Sequence, residues 1–116
     1  MKENVLRGKS YAFALKIVKI LYPKQYQGNV LLNQLLRSGT SIGANFEEAV
    51  GAQSRRDFIA KLAIAYKEVR ETCYWLRLLS DSGYKLDDGQ LLIDCEELLR
   101  IIGSIQKTIK AKEKYF

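Results

Sequence analysis

A chain of 116 residues is long enough to bury one hydrophobic core and too short for two domains. With 47% hydrophobic residues, one proline and no low-complexity tract, it is not a disordered polymer, and the lack of any histidine removes the commonest general base and metal ligand. Its net charge of +6 is unevenly placed: residues 1–24 carry six Lys or Arg against Glu3, residues 103–116 carry four Lys against Glu113, and residues 81–100 carry six acids against Lys85 and Arg100.

The first helix is predicted over residues 9–22. Pro23 ends it, because proline lacks the amide donor and disfavours helix in the residue before it. Tyr11, Ala14, Leu15, Val18 and Leu21 form one apolar stripe and Phe13, Ile17 and Ile20 another, which leaves a narrow strip through Lys16 and Lys19 for water. A helix apolar round most of its circumference needs more burial than three partners in a small bundle supply, so the pattern points to subunit contact.

Gln25-Tyr26-Gln27-Gly28 reads as a connection, and Asn29 is placed to cap a second helix over residues 30–50. Within it, residues 37–50 have the composition of a turn, with Gly39, Gly43 and several hydroxyls. The apolar phase nevertheless runs through as Leu32, Leu35, Gly39, Ile42, Phe46 and Ala49, so a continuous helix is expected, with the two glycines facing inward to admit a neighbour. Arg37, Ser41, Asn45 and Glu48 form a polar row beside that stripe.

Gly51 breaks the helix, and Ser54 with Asp57 resembles a capping box for a third helix over residues 55–80. Its seam reads Ile59, Leu62, Tyr66, Val69, Cys73 and Leu76, with Trp75 on a flank beside Glu68, Glu71, Thr72 and Leu79. The opposite face reads Arg56, Ala60, Ala63, Lys67, Arg70, Tyr74 and Arg77, a pattern that suits a phosphate backbone and equally a solvated or subunit-facing surface. After a loop from Asp81, Asp87 with Gln90 gives a second capping-box pattern. A fourth helix follows on Leu91, Cys95, Leu98, Ile102, Ile105 and Ile109, ending in Lys107, Lys110, Lys112 and Lys114, which suits the negative end of a helix dipole.

Cys73 and Cys95 sit in apolar helical rows without metal-ligand spacing and read as buried free thiols of a reducing compartment. No phosphate-binding glycine loop occurs. Glu47, Glu48, Glu68 and Glu71 lack the Glu-x-x-His pairs that carboxylate-bridged bundles use, so no cofactor, no metal and no catalysis are expected. No signal peptide and no membrane span are read, and a cytoplasmic protein is expected.

Three motifs are specific: Ser41-Ile42-x-x-Asn45-x-x-Glu48-Ala49, Ser54-Arg55-Arg56-x-Phe58, and Ile64-Ala65-x-Lys67-Glu68-x-x-Glu71-Thr72-x-Tyr74-Trp75-Leu76. Together they resemble the four-helix-bundle family of rRNA intervening-sequence proteins, which includes relatives of the accessory protein of diversity-generating retroelements. Ala49 stands where many members have glycine. The resemblance implies a bacterial, intracellular bundle that assembles into a cyclic homo-oligomer, a pentamer in relatives, with a basic surface meeting RNA, DNA or a reverse-transcriptase-like protein.

The expected architecture is all-α: one antiparallel up-down-up-down four-helix bundle over residues 1–116. In it Arg37 should meet Glu68 or Glu71, making Arg37, Ser41, Asn45, Glu48, Glu68 and Glu71 architectural residues. Lys2, Arg7 and Lys9 should gather with Lys107, Lys110, Lys112 and Lys114 at one end, a rim for nucleic acid, with Arg56, Lys67, Arg70 and Arg77 as the competing site. A purely structural or protein-binding oligomer is the second reading.

Overall fold

The computed structural model describes residues 2–23 and 28–113. Among the described residues there are four helices: α1 (Lys2–Leu21), α2 (Val30–Val50), α3 (Arg55–Asp81) and α4 (Gln90–Glu113). They pack as an antiparallel four-helix bundle, 52 × 24 × 22 Å, in which each helix lies against its neighbours around the ring. Cross-contacts fix the directions: Ile17 meets Gly39, Arg37 meets Glu68, and Tyr66 meets Gly103.

Local chemistry sets the ends. Asn29 accepts the Leu32 amide at 3.1 Å and Ser54 accepts the Asp57 amide at 3.0 Å, each satisfying a donor that the first helical turn leaves free. At α4 the expected box does not form. Asp87 instead takes the amides of Gly89 and Leu91 at 3.0 and 2.8 Å, while the Gln90 side chain turns forward to Asp94. Gly89 has φ of 99°, so the chain enters α4 through a left-handed residue and Asp87 is left to cap from one step further back. The connection at residues 25–27 and Lys114 lie outside the described residues.

α2 runs unbroken through residues 38–44. Its glycines are where α1 comes closest: a Cβ at Gly39 would stand 3.2 Å from Ile17 Cγ1, and one at Gly43 would stand 3.3 Å from Ser10 Oγ and 3.5 Å from the Ser10 backbone carbon. The helix survives its weak propensity because tertiary packing on that ridge outweighs the cost, about 1 kcal/mol per glycine.

The structure corrects two expectations about the core. α1 begins at Lys2 rather than near residue 9, and its buried row is Leu6, Ser10, Phe13, Ile17 and Leu21. Tyr11 and Leu15 face outward, 69% and 41% exposed. In α3 the buried face is rotated toward α2. Ala65, Glu68, Thr72 and Leu79 are buried beside Leu62, Val69, Cys73 and Leu76, whereas Ile59 and Tyr66 are only half-buried. Small Ser38 on α2 lies opposite Thr72 on that face.

Candidate nucleic-acid interface

The polar row of α2 resolves into a network with α3. Arg37 donates to Gln34 Oε1 at 3.0 Å, to Glu68 Oε2 at 3.2 Å and to Glu71, whose Oε2 also accepts the Trp75 indole N–H at 3.0 Å. The Trp75 hydrogen bond and the Arg37 guanidinium hold the Glu71 carboxyl below its ordinary range against the opposing effect of burial. At the next residue on each helix, the buried Thr72 hydroxyl lies 2.9 Å from Ser38 Oγ. Ser41 and Asn45 bond back to the carbonyls of Arg37 and Ser41 on their own helix, and Glu48 reaches Lys61 across the α2–α3 turn at 3.5 Å. These groups are engaged with one another along the α2–α3 seam and offer no open chemistry.

The cations divide into two sets. Three on α1 have carboxylate partners: Arg7 grips Glu47 with two hydrogen bonds of 2.6 and 2.9 Å, Lys9 pairs with Glu97 at 3.1 Å and Lys16 with Asp94 at 2.8 Å. Lys2 extends to the Ser104 hydroxyl at 2.5 Å, and Arg55 lies 3.9 Å from Glu113. Lys2, Arg55 and Lys112 do line a common groove of about 410 Å³ over Phe58, Ile105 and Ile109, so part of the expected basic end exists. Its field is reduced, because Arg7 turns to α2 and Lys9 to α4 instead of joining it. Asp94 and Glu97 flank the α4 seam on the side toward α1, a spacing visible in the sequence but not in charge totals.

The outer face of α3 is different. Arg56, Lys67, Arg70 and Arg77 are all exposed, and none pairs with a carboxylate among the described residues. With Ala60, Ala63 and Tyr74 they occur at steps of four and three, one straight row about 32 Å long at 1.5 Å per residue, close to one turn of duplex. Tyr74, half-exposed in that row, stands edge-on to Trp75 with ring centres 5.2 Å apart. Beside the row, a shallow groove of about 390 Å³ between α3 and α4 is lined by Tyr66, Gly103, Arg100 and Lys107, the last two also without a carboxylate partner among the described residues. Lys107 therefore sits with the α3 face as much as with the basic end. Arg100 is hidden in the sequence because three acids closely precede it in the chain, yet the helix turns Asp94 and Glu97 toward α1 and leaves Arg100 toward α3. Lys110 and Lys112 are exposed on the last turns of α4.

No group of three or more acidic or cysteine side chains among the described residues is arranged to hold a metal ion, and no helix among them is long and apolar enough to cross a membrane.

Comparison with known proteins gives the fold a lineage. The model of the 23S rRNA-intervening sequence protein matches residues 2–104. A crystal structure of a protein with unknown function from the S23 ribosomal protein family of Bacteroides thetaiotaomicron is 46% identical, covers 92% of this chain and 99% of its own, and superposes with a TM-score of 0.83. No curated protein matches the chain. A family match over residues 2–104, with a 46% identical neighbour of the same fold, places the chain in the 23S rRNA-intervening sequence protein family.

Proposed function

We propose that this protein is a non-enzymatic, self-assembling bundle of the cytoplasm that binds nucleic acid through the outer face of α3. The observation that carries the reading is the contrast in pairing: Arg7, Lys9 and Lys16 on α1 are matched by carboxylates, whereas Arg56, Lys67, Arg70 and Arg77 form an exposed row with none among the described residues. Unmatched like charges along one helix repel, and a polyanion that replaces its counterions relieves that repulsion. Tyr74 adds a flat surface on which a base or sugar can rest. The basic end around Lys2, Lys110 and Lys112 is the secondary contact.

Self-assembly is supported by a second surface. Tyr11, Leu15 and Val18 on α1 and Tyr22 just past its end follow one another at steps of four, three and four; Tyr11, Leu15 and Tyr22 are exposed, and α2 and α4 cover the other side of the helix. This seam fits another copy of the chain, and a closed cyclic ring, a pentamer by resemblance to relatives, is the arrangement proposed.

The test is binding of generic RNA and DNA duplexes followed by fluorescence anisotropy across about 50 to 200 mM salt. If four phosphates are contacted, log affinity falls against log salt with a slope of roughly −3 to −4. Arg70→Glu with Arg77→Glu should weaken binding at least tenfold and flatten the slope, while Lys110→Glu with Lys112→Glu should change it far less. The reverse ranking moves the site to the basic end, and no binding by the unmodified protein at low salt leaves the structural oligomer as the function.

A further inference from the structure

The two cysteines are far apart in the chain and adjacent in the fold. Cys73 sits two turns before the end of α3 and Cys95 between one and two turns into α4, and their Sγ atoms are 2.8 Å apart in the core. Cys95 is fully buried and Cys73 is 7% exposed, so neither can easily reach a thiol of another chain. Cys95 Sγ also lies 3.5 Å from the Val69 carbonyl, which fixes its position one turn above Cys73 on α3. They are the only cysteines in the sequence.

We infer that Cys73 and Cys95 form an oxidisable dithiol, a modification site at which a peroxide converts the reduced pair into a reversible disulfide joining α3 to α4. A disulfide needs its sulfurs about 2.05 Å apart, a closure of less than 1 Å from the observed positions, within reach of side-chain rotation while the helices stay in place. The step balances as two thiols and one hydrogen peroxide giving one disulfide and two waters. The Cys73 sulfur attacks one peroxide oxygen and breaks the O–O bond, giving a sulfenic acid and releasing hydroxide, which takes the Cys73 proton and leaves as the first water. The Cys95 sulfur then attacks the sulfenic sulfur, forms the S–S bond, and expels the hydroxyl, which leaves with the Cys95 proton as the second water. The two electrons pass from the thiol pair to the peroxide, and a small dithiol returns them.

The order of attack follows from the surroundings. Hydrogen bonding from Cys95 lowers the Cys73 pKa below the ordinary thiol value, with Arg77 helping and burial and Glu96 opposing, whereas the same contact and full burial push the Cys95 thiol up. Cys73 is also the less buried of the two, on the side from which a small oxidant arrives. The resulting bond closes a loop across the α3–α4 connection, ties the acidic stretch around Asp87 and Asp88 at both its ends, and fixes the helix carrying Tyr74 and Arg77 against α4.

The full-length chain is treated with hydrogen peroxide, denatured in the presence of iodoacetamide and weighed by mass spectrometry. The reduced protein should take up two alkyl groups. The oxidised protein should take up none, should weigh two hydrogens less, should run as a single chain without reductant, and should yield a peptide pair linking Cys73 to Cys95. Its melting temperature should rise by at least roughly 5 °C and return on addition of dithiothreitol. Cys95→Ser should lose the linked peptide and the melting shift. Two alkylatable thiols surviving excess peroxide, oxidation to sulfinic acid alone, or disulfides only between chains would each overturn the assignment, and none depends on how Cys95→Ser folds.

Discussion

Arg37 shows how much one side chain can hold when its partners are unequal in exposure. It is itself 46% exposed, but Glu68 beneath it is nearly buried and Glu71 is shared with the Trp75 indole. Removing the guanidinium strands a carboxylate in a poorly hydrated place. Arg37→Ala is expected to cost roughly 1–3 kcal/mol, below the ~3–5 typical of a fully buried pair because water reaches the arginine. Arg7→Ala, which breaks an exposed pair with Glu47 that water screens, should shift the midpoint of a urea titration far less than Arg37→Ala does. A pH dependence follows with a definite sign. The Glu71 carboxyl is depressed by Trp75 and Arg37 from an ordinary value of 4.5, so its contribution is fully present above that pH and is lost as pH falls through the folded-state pKa. Trp75 is the sole tryptophan, so its fluorescence reports this titration directly. The midpoint should lie below 4.5 in the unmodified chain and move up in Arg37→Ala; an unmoved midpoint would detach Arg37 from Glu71.

The α2 ridge explains both what the sequence reveals about the elements and what it hides. Phase overrides composition at Gly39 and Gly43, so the helix is legible despite its turn-like residues. The same closeness hides the beginning of α1. Leu6, Ser10, Phe13, Ile17 and Leu21 are spaced by four, three, four and four, but a serine in the row reads as a break in an apolar stripe. Ser10 is buried because Gly43 leaves no room for more, and its hydroxyl turns back to the Arg7 carbonyl at 3.2 Å. The shift of the α3 face has a similar origin: the pairing of Arg37 with Glu68 is legible in the sequence, but Thr72 looks like a surface residue until Ser38 appears opposite it. Leucine at Gly39 or Gly43 must push against Ile17 or the Ser10 backbone, and such overpacking costs typically 1–3 kcal/mol, more than the ~1 kcal/mol gained in helix propensity. Each single variant should therefore melt below the unmodified protein. Melting above it would mean that α1 can back away from the ridge freely.

At the scale of the molecule, charge totals by segment suggested one basic end, whereas the folded distribution is set by which cations find acids. Pairing depends on helix phase: Asp94 and Glu97 fall toward α1, so Lys16 and Lys9 are matched and the row on α3 is left over. Self-assembly would make that difference count, since a ring repeats the row once per subunit and a long duplex can touch several rows at once. The second contact is then intramolecular, and avidity of roughly 10²-fold or more follows with no new kind of contact. Leu15→Glu, in the middle of the exposed α1 seam, places a charge where apolar surface would be buried and leaves the core untouched. The variant should keep its helical circular dichroism, elute and scatter light as a monomer, and bind a duplex of about one turn as the unmodified protein does. Its affinity for a duplex several turns long should fall by one to two orders of magnitude, the loss expected when avidity alone is removed. An equal loss on short and long duplexes would place Leu15 in the binding surface itself, and an oligomer that survives the substitution would move the subunit contact to another face of the bundle.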